Sequence, residues 1–130
     1  MLSEPVKSAP NPGLMRQLSA HEGELATCAI VWHELVYGAA RLPRSRKRRA
    51  IEAYLDEAVR AALPILPYDE AAAGWHARER ARLAGRGSPP SAADGQIAAI
   101  ATVNELVLVT SNLRDFRRFE GLRVEDWRRD

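Results

Sequence analysis

The chain has 130 residues, 46% apolar and 28% charged, which suits one domain built around one core. Its apolar runs fall well short of the ~20 residues that a membrane helix needs, and no basic segment leads into an apolar one as in a signal peptide. A single cysteine, Cys28, excludes an internal disulfide and a Cys/His zinc cluster, so these features together point to the cytoplasm.

In chain order, residues 5–13 are rich in proline and small side chains and read as a loop or helix entry. Residues 14–20 suit one short helix. Residues 25–30 form a short apolar, partly β-branched run expected to be a buried strand. A helix is predicted over 32–42, stopped by Pro43. A second, amphipathic helix is predicted over 46–63, where Ile51, Leu55, Ala58, Val59 and Ala62 recur at helical spacing. Residues 65–68 read as a short strand near an edge, because of Pro67. A third helix is expected over 69–84, ended by Gly85 and Gly87, and a fourth over 91–105. Residues 106–110 (Leu, Val, Leu, Val, Thr) are the clearest strand. A short helical turn over 112–119 and a last strand at 122–124 complete the pattern. Strands alternating with helices imply an α/β fold with a mainly parallel sheet, whose site lies beyond the carboxyl ends of the strands.

Three acidic residues fall where that rule points. Glu34 is expected in the first turn of the helix after strand 25–30, Asp94 in the first turn of the helix from Ser91, and Asp115 just after strand 106–110. Carboxylates gathered at one sheet edge resist ionisation unless a cation sits among them. A hard divalent ion such as Mg²⁺ takes oxygen ligands of this kind and can orient and deprotonate water beside a phosphate. Thr110, Ser111 or Asn112 can add a neutral oxygen. Each residue also has a purely structural reading: Ser91-x-x-Asp94 and Asn112-x-x-Asp115 both have helix-capping spacing, and Glu34 suits a helix start.

Arg44, Arg46, Lys47, Arg48 and Arg49 place five positive charges within six residues, and lysine otherwise occurs only at Lys7. Arginine grips phosphate bidentately, so the patch can hold nucleic acid. By itself it reads more simply as a solvated helix start or a salt-bridging face. His33-Glu34 begins like a zinc-protease motif, but Tyr37 stands where the second histidine is needed. His21, His33 and His76 lack ligand spacing and read as surface or packing residues. Trp32, Trp75 and Trp127 read as packing residues rather than base-stacking platforms.

Four segments taken in order resemble the PIN-domain toxins of type II toxin–antitoxin systems, the VapC and FitB-like group. They are Ser3-Glu4-Pro5, Glu34-Leu35-Val36-Tyr37-Gly38, Asp94-Gly95-Gln96-Ile97-Ala98-Ala99-Ile100-Ala101, and Thr110-Ser111-Asn112-Leu113-Arg114-Asp115-Phe116. The segment from Glu34 is weak alone; the last two, joined by an apolar strand, are specific. The resemblance implies a PIN-like three-layer α/β/α fold and a ribonuclease whose four acidic positions bind Mg²⁺ or Mn²⁺. Three of those positions carry over as Glu34, Asp94 and Asp115, with Thr110 and Asn112 matching polar site residues. Gly95 departs from the larger residue often found after the aspartate, a change expected to matter little.

The fourth acidic position belongs to an opening strand that ends in aspartate, and Met1-Leu2-Ser3-Glu4 matches only the tail of that motif. Met1 stands where valine or isoleucine is usual, so the expectation is an N-terminally truncated domain, with the central first strand absent, read from an internal start codon. The in-frame DNA upstream tests this. A missing middle strand would leave unpaired backbone on the inner edges of strands 25–30 and 106–110, and the chain alone is expected to be unstable or inactive.

The leading expectation is therefore a Mg²⁺-dependent endoribonuclease toxin, with Arg44, Arg46, Arg48, Arg114 and Arg117 holding RNA. A VapB-like antitoxin, a homodimer and operator DNA reached only through the antitoxin follow from the resemblance. The alternative is a catalytically inactive domain that only binds the antitoxin. A phospho-receiver-like domain is disfavoured, because no lysine follows the last strong strand.

Overall fold

Alanine dictates much of the packing. The computed structural model describes residues 23–128 together with Arg16, Ala20 and His21. The expected loop at 5–13, most of the helix at 14–20 and the motif at Met1 to Glu4 lie outside the described residues.

Strand β1 (Thr27–Cys28) leads directly into helix α1 (Ala29–Ala40). Helix α2 (Arg46–Tyr54) starts at Ser45, whose side chain accepts the Arg48 N–H, and continues as a π-helical stretch at Leu55–Arg60. Strand β2 (Ile65–Leu66) follows. Helix α3 (Glu70–Gly85) is capped by the Asp69 side chain at the Ala72 N–H. Gly87, at φ +74°, turns the chain after it in a conformation that glycine tolerates best. Helix α4 (Ala92–Val103) is followed by β3 (Leu108–Val109), the short helix α5 (Leu113–Phe116) and β4 (Val124–Glu125).

Ala98, Ala99, Ile100 and Ala101 are all fully buried, so α4 is the central helix. Small side chains let α3 approach it closely, and this is the most extensive contact between elements. Cys28, Val31, Leu108, Phe116 and Phe119 join α4 in the main core. A second cluster packs Leu55 and Val59 against Ala39 of α1.

Among the described residues the strands pair only in parallel, as expected. They form two two-stranded ladders, β1 with β2 (Thr27 opposite Ile65) and β3 with β4 (Leu108 opposite Val124). No helix among the described residues is long and apolar enough to cross a membrane.

Two local expectations need correction. The run 25–30 is strand only at Thr27–Cys28, and the helix begins at Ala29, three residues before the predicted start. A short apolar run suits a buried strand or a buried helix equally, and packing against α4 decides for the helix. The predicted helix 46–63 is α-helical only to Tyr54. Its widened continuation, marked by the Ala61 N–H bonding to the Asp56 carbonyl five residues back, buries Leu55 and Val59 and leaves Ala58 and Ala62 exposed.

Candidate metal and phosphate site

Ser91 ends a proline-containing loop in extended conformation and caps α4, its hydroxyl oxygen accepting the Asp94 N–H at 3.1 Å. The capping reading of Ser91-x-x-Asp94 therefore holds, and it fixes Asp94 in the first turn of a helix whose positive end favours an anion. Asp94 is half-buried. Loss of water pushes its carboxyl above the usual carboxylate range, and the nearby Asp115 pushes the same way; the Ser91 side chain and the Arg118 charge oppose them.

Asp115 comes from α5, which follows directly on β3. Thr110, buried at the strand end, accepts the Asn112 N–H at its hydroxyl over 3.1 Å, and the Asn112 amide donates to Asp115 Oδ2 over 2.9 Å. Asn112-x-x-Asp115 is thus not the expected backbone cap: no side chain caps α5, and the amide spends its proton on the carboxylate instead. Asp94 and Asp115 are the pair the fold brings together, and Thr110 and Asn112 stand behind the second of them.

Glu34 is placed differently. Because α1 starts at Ala29, Glu34 sits in the second turn and not the first, and its side chain is exposed. Among the described residues no three carboxylate, histidine or cysteine groups come close enough to hold one metal ion, so Glu34 does not complete a triad with Asp94 and Asp115.

The arginines separate in the same way. Arg48 is committed locally, its Nε to Glu52 at 3.0 Å and its Nη1 to the Leu42 carbonyl at 3.1 Å, which is the salt-bridging reading of the basic patch. Arg44 and Arg46 are exposed on the loop and start of α2, which packs mainly on α1. Arg114 and Arg117 are exposed near α5, and Arg117 lines a cleft with Leu113, Val124 and Trp127.

The cation that acts on the Asp94 carboxylate is Arg118. Its Nε donates to the Asp115 carbonyl at 3.0 Å and its Nη1 to the Ser88 hydroxyl at 3.1 Å, so it ties the loop before α4 to α5. Behind it, Arg82 donates to both oxygens of Glu79 and, at 2.9 Å, to the Arg118 carbonyl. Arg118 was legible only as one of a run of arginines after Asp115. Which of them turns inward depends on the turn after α5.

Of the two roles the sequence allows for His76, surface or packing, the structure shows packing. His76 is buried on α3, its Nδ1 lies 2.8 Å from the Tyr68 hydroxyl, and its ring fills the space beside Gly95.

The model of the PIN domain matches residues 2–122. This chain belongs to the PIN-domain family. Its PIN domain is 32% identical, over 94% of this chain and 89% of the relative, to the tRNA(fMet)-specific endonuclease VapC of Shigella flexneri. Its fold is similar to that in the crystal structure of DNA-bound VapBC from Salmonella typhimurium, with TM-score 0.79, 33% identity and 89% and 85% of the two chains covered. It is also similar to FitAcB from Neisseria gonorrhoeae, with TM-score 0.85, 27% identity and 97% of each chain covered. The PIN-like fold and the kinship to VapC and FitB toxins expected from the four motifs are therefore shown.

Proposed function

We propose that this PIN domain is a metal-dependent endoribonuclease, the toxin of a type II toxin–antitoxin pair acting in the cytoplasm. The observation that carries the reading is the pairing of Asp94 and Asp115 at the starts of two helices, each supported by a neighbouring side chain, with Asp115 raising the cost of the charge on Asp94. Such a pair suits Mg²⁺ or Mn²⁺, which bind through one or two carboxylates and keep several waters. Kinship at 32% identity to a protein named as a tRNA-specific endonuclease supports RNA as the substrate.

Asp94 and Asp115 would hold the ion, while Glu34, exposed on α1, stands apart from the pair. When bound, the ion supplies charge neutralisation at the phosphate and acidifies water for attack on phosphorus. The residues of the chain do the rest. Asn112 holds Asp115 in one orientation through Oδ2. Ser91 and the helix terminus hold Asp94. Arg118 keeps a permanent positive charge beside the carboxylates, where negative charge grows on the phosphate oxygens as the chain breaks. Arg44, Arg46, Arg114 and Arg117, exposed on the flanks, are the residues proposed to grip the RNA backbone. A VapB-like antitoxin is the proposed partner, in keeping with the VapBC and FitAcB assemblies of the similar structures, with a homodimer and operator DNA reached through the antitoxin.

The deciding experiment incubates the purified chain with RNA and Mn²⁺ or Mg²⁺, with and without chelator, beside Asp94→Asn and Asp115→Asn. Metal-dependent cleavage lost in both variants is expected. Cleavage that survives chelation, or that both variants retain, refutes the proposal. One observation favours a second reading, an antitoxin-binding domain that cuts nothing: the described residues gather two acidic groups and not three. Antitoxin capture together with no cleavage at any metal concentration would select it.

A further inference from the structure

Three elements meet at the first turn of α4. Gly95, the residue after Asp94, is buried, and a Cβ built on it would overlap His76 Nε2 and lie 2.6 Å from Cδ2 and 3.0 Å from Cε1. His76 rises from the middle of α3, and its other ring nitrogen is held by the Tyr68 hydroxyl beyond β2 at 2.8 Å. The ring stands edge-on to Tyr68, with centroids 5.9 Å apart. Glycine inside a helix is disfavoured by its backbone entropy, so its presence here marks a close approach that a side chain would prevent. The space beside the bare backbone at residue 95 is filled from α3, by an aromatic ring with few torsions and a fixed hydrogen bond.

We propose that His76 is a positioning residue for Asp94: its imidazole, seated on the bare Cα of Gly95 and anchored by Tyr68, sets the position of the first turn of α4 and therefore of the Asp94 carboxylate relative to Asp115. The proposal rests on the reading of Asp94 as a metal-holding carboxylate. It explains the glycine inside α4 as one half of a size match between two helices. A flexible side chain at residue 76 would fill the same volume without fixing the turn. The neutral imidazole, kept uncharged by burial and by the Arg80 charge, does so without adding a cation beside the carboxylates.

The test compares Gly95→Ala, His76→Ala and the double variant at a temperature where all are folded. It reads the Mn²⁺ affinity of the RNA-free protein and, separately, kcat and KM on RNA. Gly95→Ala is expected to weaken Mn²⁺ binding roughly 10- to 100-fold and to lower kcat by about 100-fold, the cost of a displacement near 1 Å. KM for RNA should stay within about threefold of the parent, because no RNA-binding group is touched. His76→Ala, which frees the turn without pushing it, should weaken Mn²⁺ binding about 10-fold. The double variant, in which the ring that clashes with the new methyl is gone, should bind Mn²⁺ about as well as His76→Ala and better than Gly95→Ala, a coupling that independent sites do not show. Unchanged Mn²⁺ affinity in both single variants, a double variant no better than Gly95→Ala, or losses confined to KM would overturn the proposal. If Gly95→Ala fails to fold, His76→Ala and the double variant still decide it. If the parent binds Mn²⁺ but cuts no RNA, the ribonuclease reading fails while the metal titration continues to judge His76.

Discussion

The Asn112 side-chain amide donates to Oδ2 of Asp115 over 2.9 Å, while its own backbone N–H is taken by the Thr110 hydroxyl at 3.1 Å. One asparagine thus fastens the end of β3 to the carboxylate on α5, and rotation of Asp115 breaks a bond to a charged acceptor. Asn112→Ala is expected to lower metal affinity and RNA cleavage by roughly 10- to 100-fold, the range for a group that orients a ligand. Asn112→Asp should be worse, since it replaces a donor with a third negative charge. Metal titration and cleavage assays on the two variants check this, and an Asn112→Asp variant as active as the parent would dismiss the orienting role.

Asp94 illustrates opposition between stability and function. Burial foremost, with Asp115 nearby, raises its folded pKa above the unfolded value. Such a group favours the folded state below the unfolded pKa and loses that contribution as pH rises through the folded value, so the ionised form near pH 7 is a burden on the metal-free protein. Asp94→Asn should therefore raise the metal-free melting temperature near pH 7 while abolishing cleavage. Mn²⁺ should then stabilise the parent and leave the variant unmoved. Melting curves with and without metal give the answer, and a variant that melts below the parent would count against it.

Glu79 behaves in the opposite sense. The Arg82 hydrogen bonds hold its carboxyl below the ordinary range, against the pull of burial, and the Glu120 N–H adds a further donor at 3.2 Å. Its contribution is fully present above the unfolded value of 4.5 and is lost as pH falls through the folded value. His76, lowered by burial and by Arg80, adds an earlier loss that begins below 6.5, where the unfolded chain takes the proton first. Urea midpoints should therefore decline in two steps on acidification. Glu79→Gln should cost about 2 kcal/mol near pH 7 through lost charge-assisted hydrogen bonds and should remove the lower step. A single-step decline unchanged by Glu79→Gln would contradict the assignment.

The basic patch divides into a structural and a binding part. Arg48 joins Glu52 and the Leu42 carbonyl, so Arg48→Ala should lower stability by about 1 kcal/mol and change RNA affinity little. Arg44→Ala with Arg46→Ala should do the reverse, raising KM and flattening its dependence on salt. Salt titrations of RNA binding beside urea melts would reveal an inverted pattern if the division is wrong.

The start of α4 and the stop after α3 were legible because their causes are local. Ser91 caps α4 through a side chain that reaches only three residues along the chain, and Gly87 announces its own turn. The order of strands and helices followed from apolar periodicity, and Asp94 and Asp115 stood out because each follows a recognisable strand or cap.

What the residue pattern determined by itself was this order of elements, their parallel sense and the two acidic helix starts, all set by interactions within a few residues. Tertiary packing alone decided that α1 begins at Ala29, which carries Glu34 a turn along from where a strand to residue 30 would have left it. It alone chose Arg118 from among neighbouring arginines and left Glu34 outside the pair of Asp94 and Asp115. It alone set His76 on Gly95, because that contact joins residues nineteen apart on different helices, and only the burial of the α4 alanines draws those helices close enough for one ring to replace a side chain.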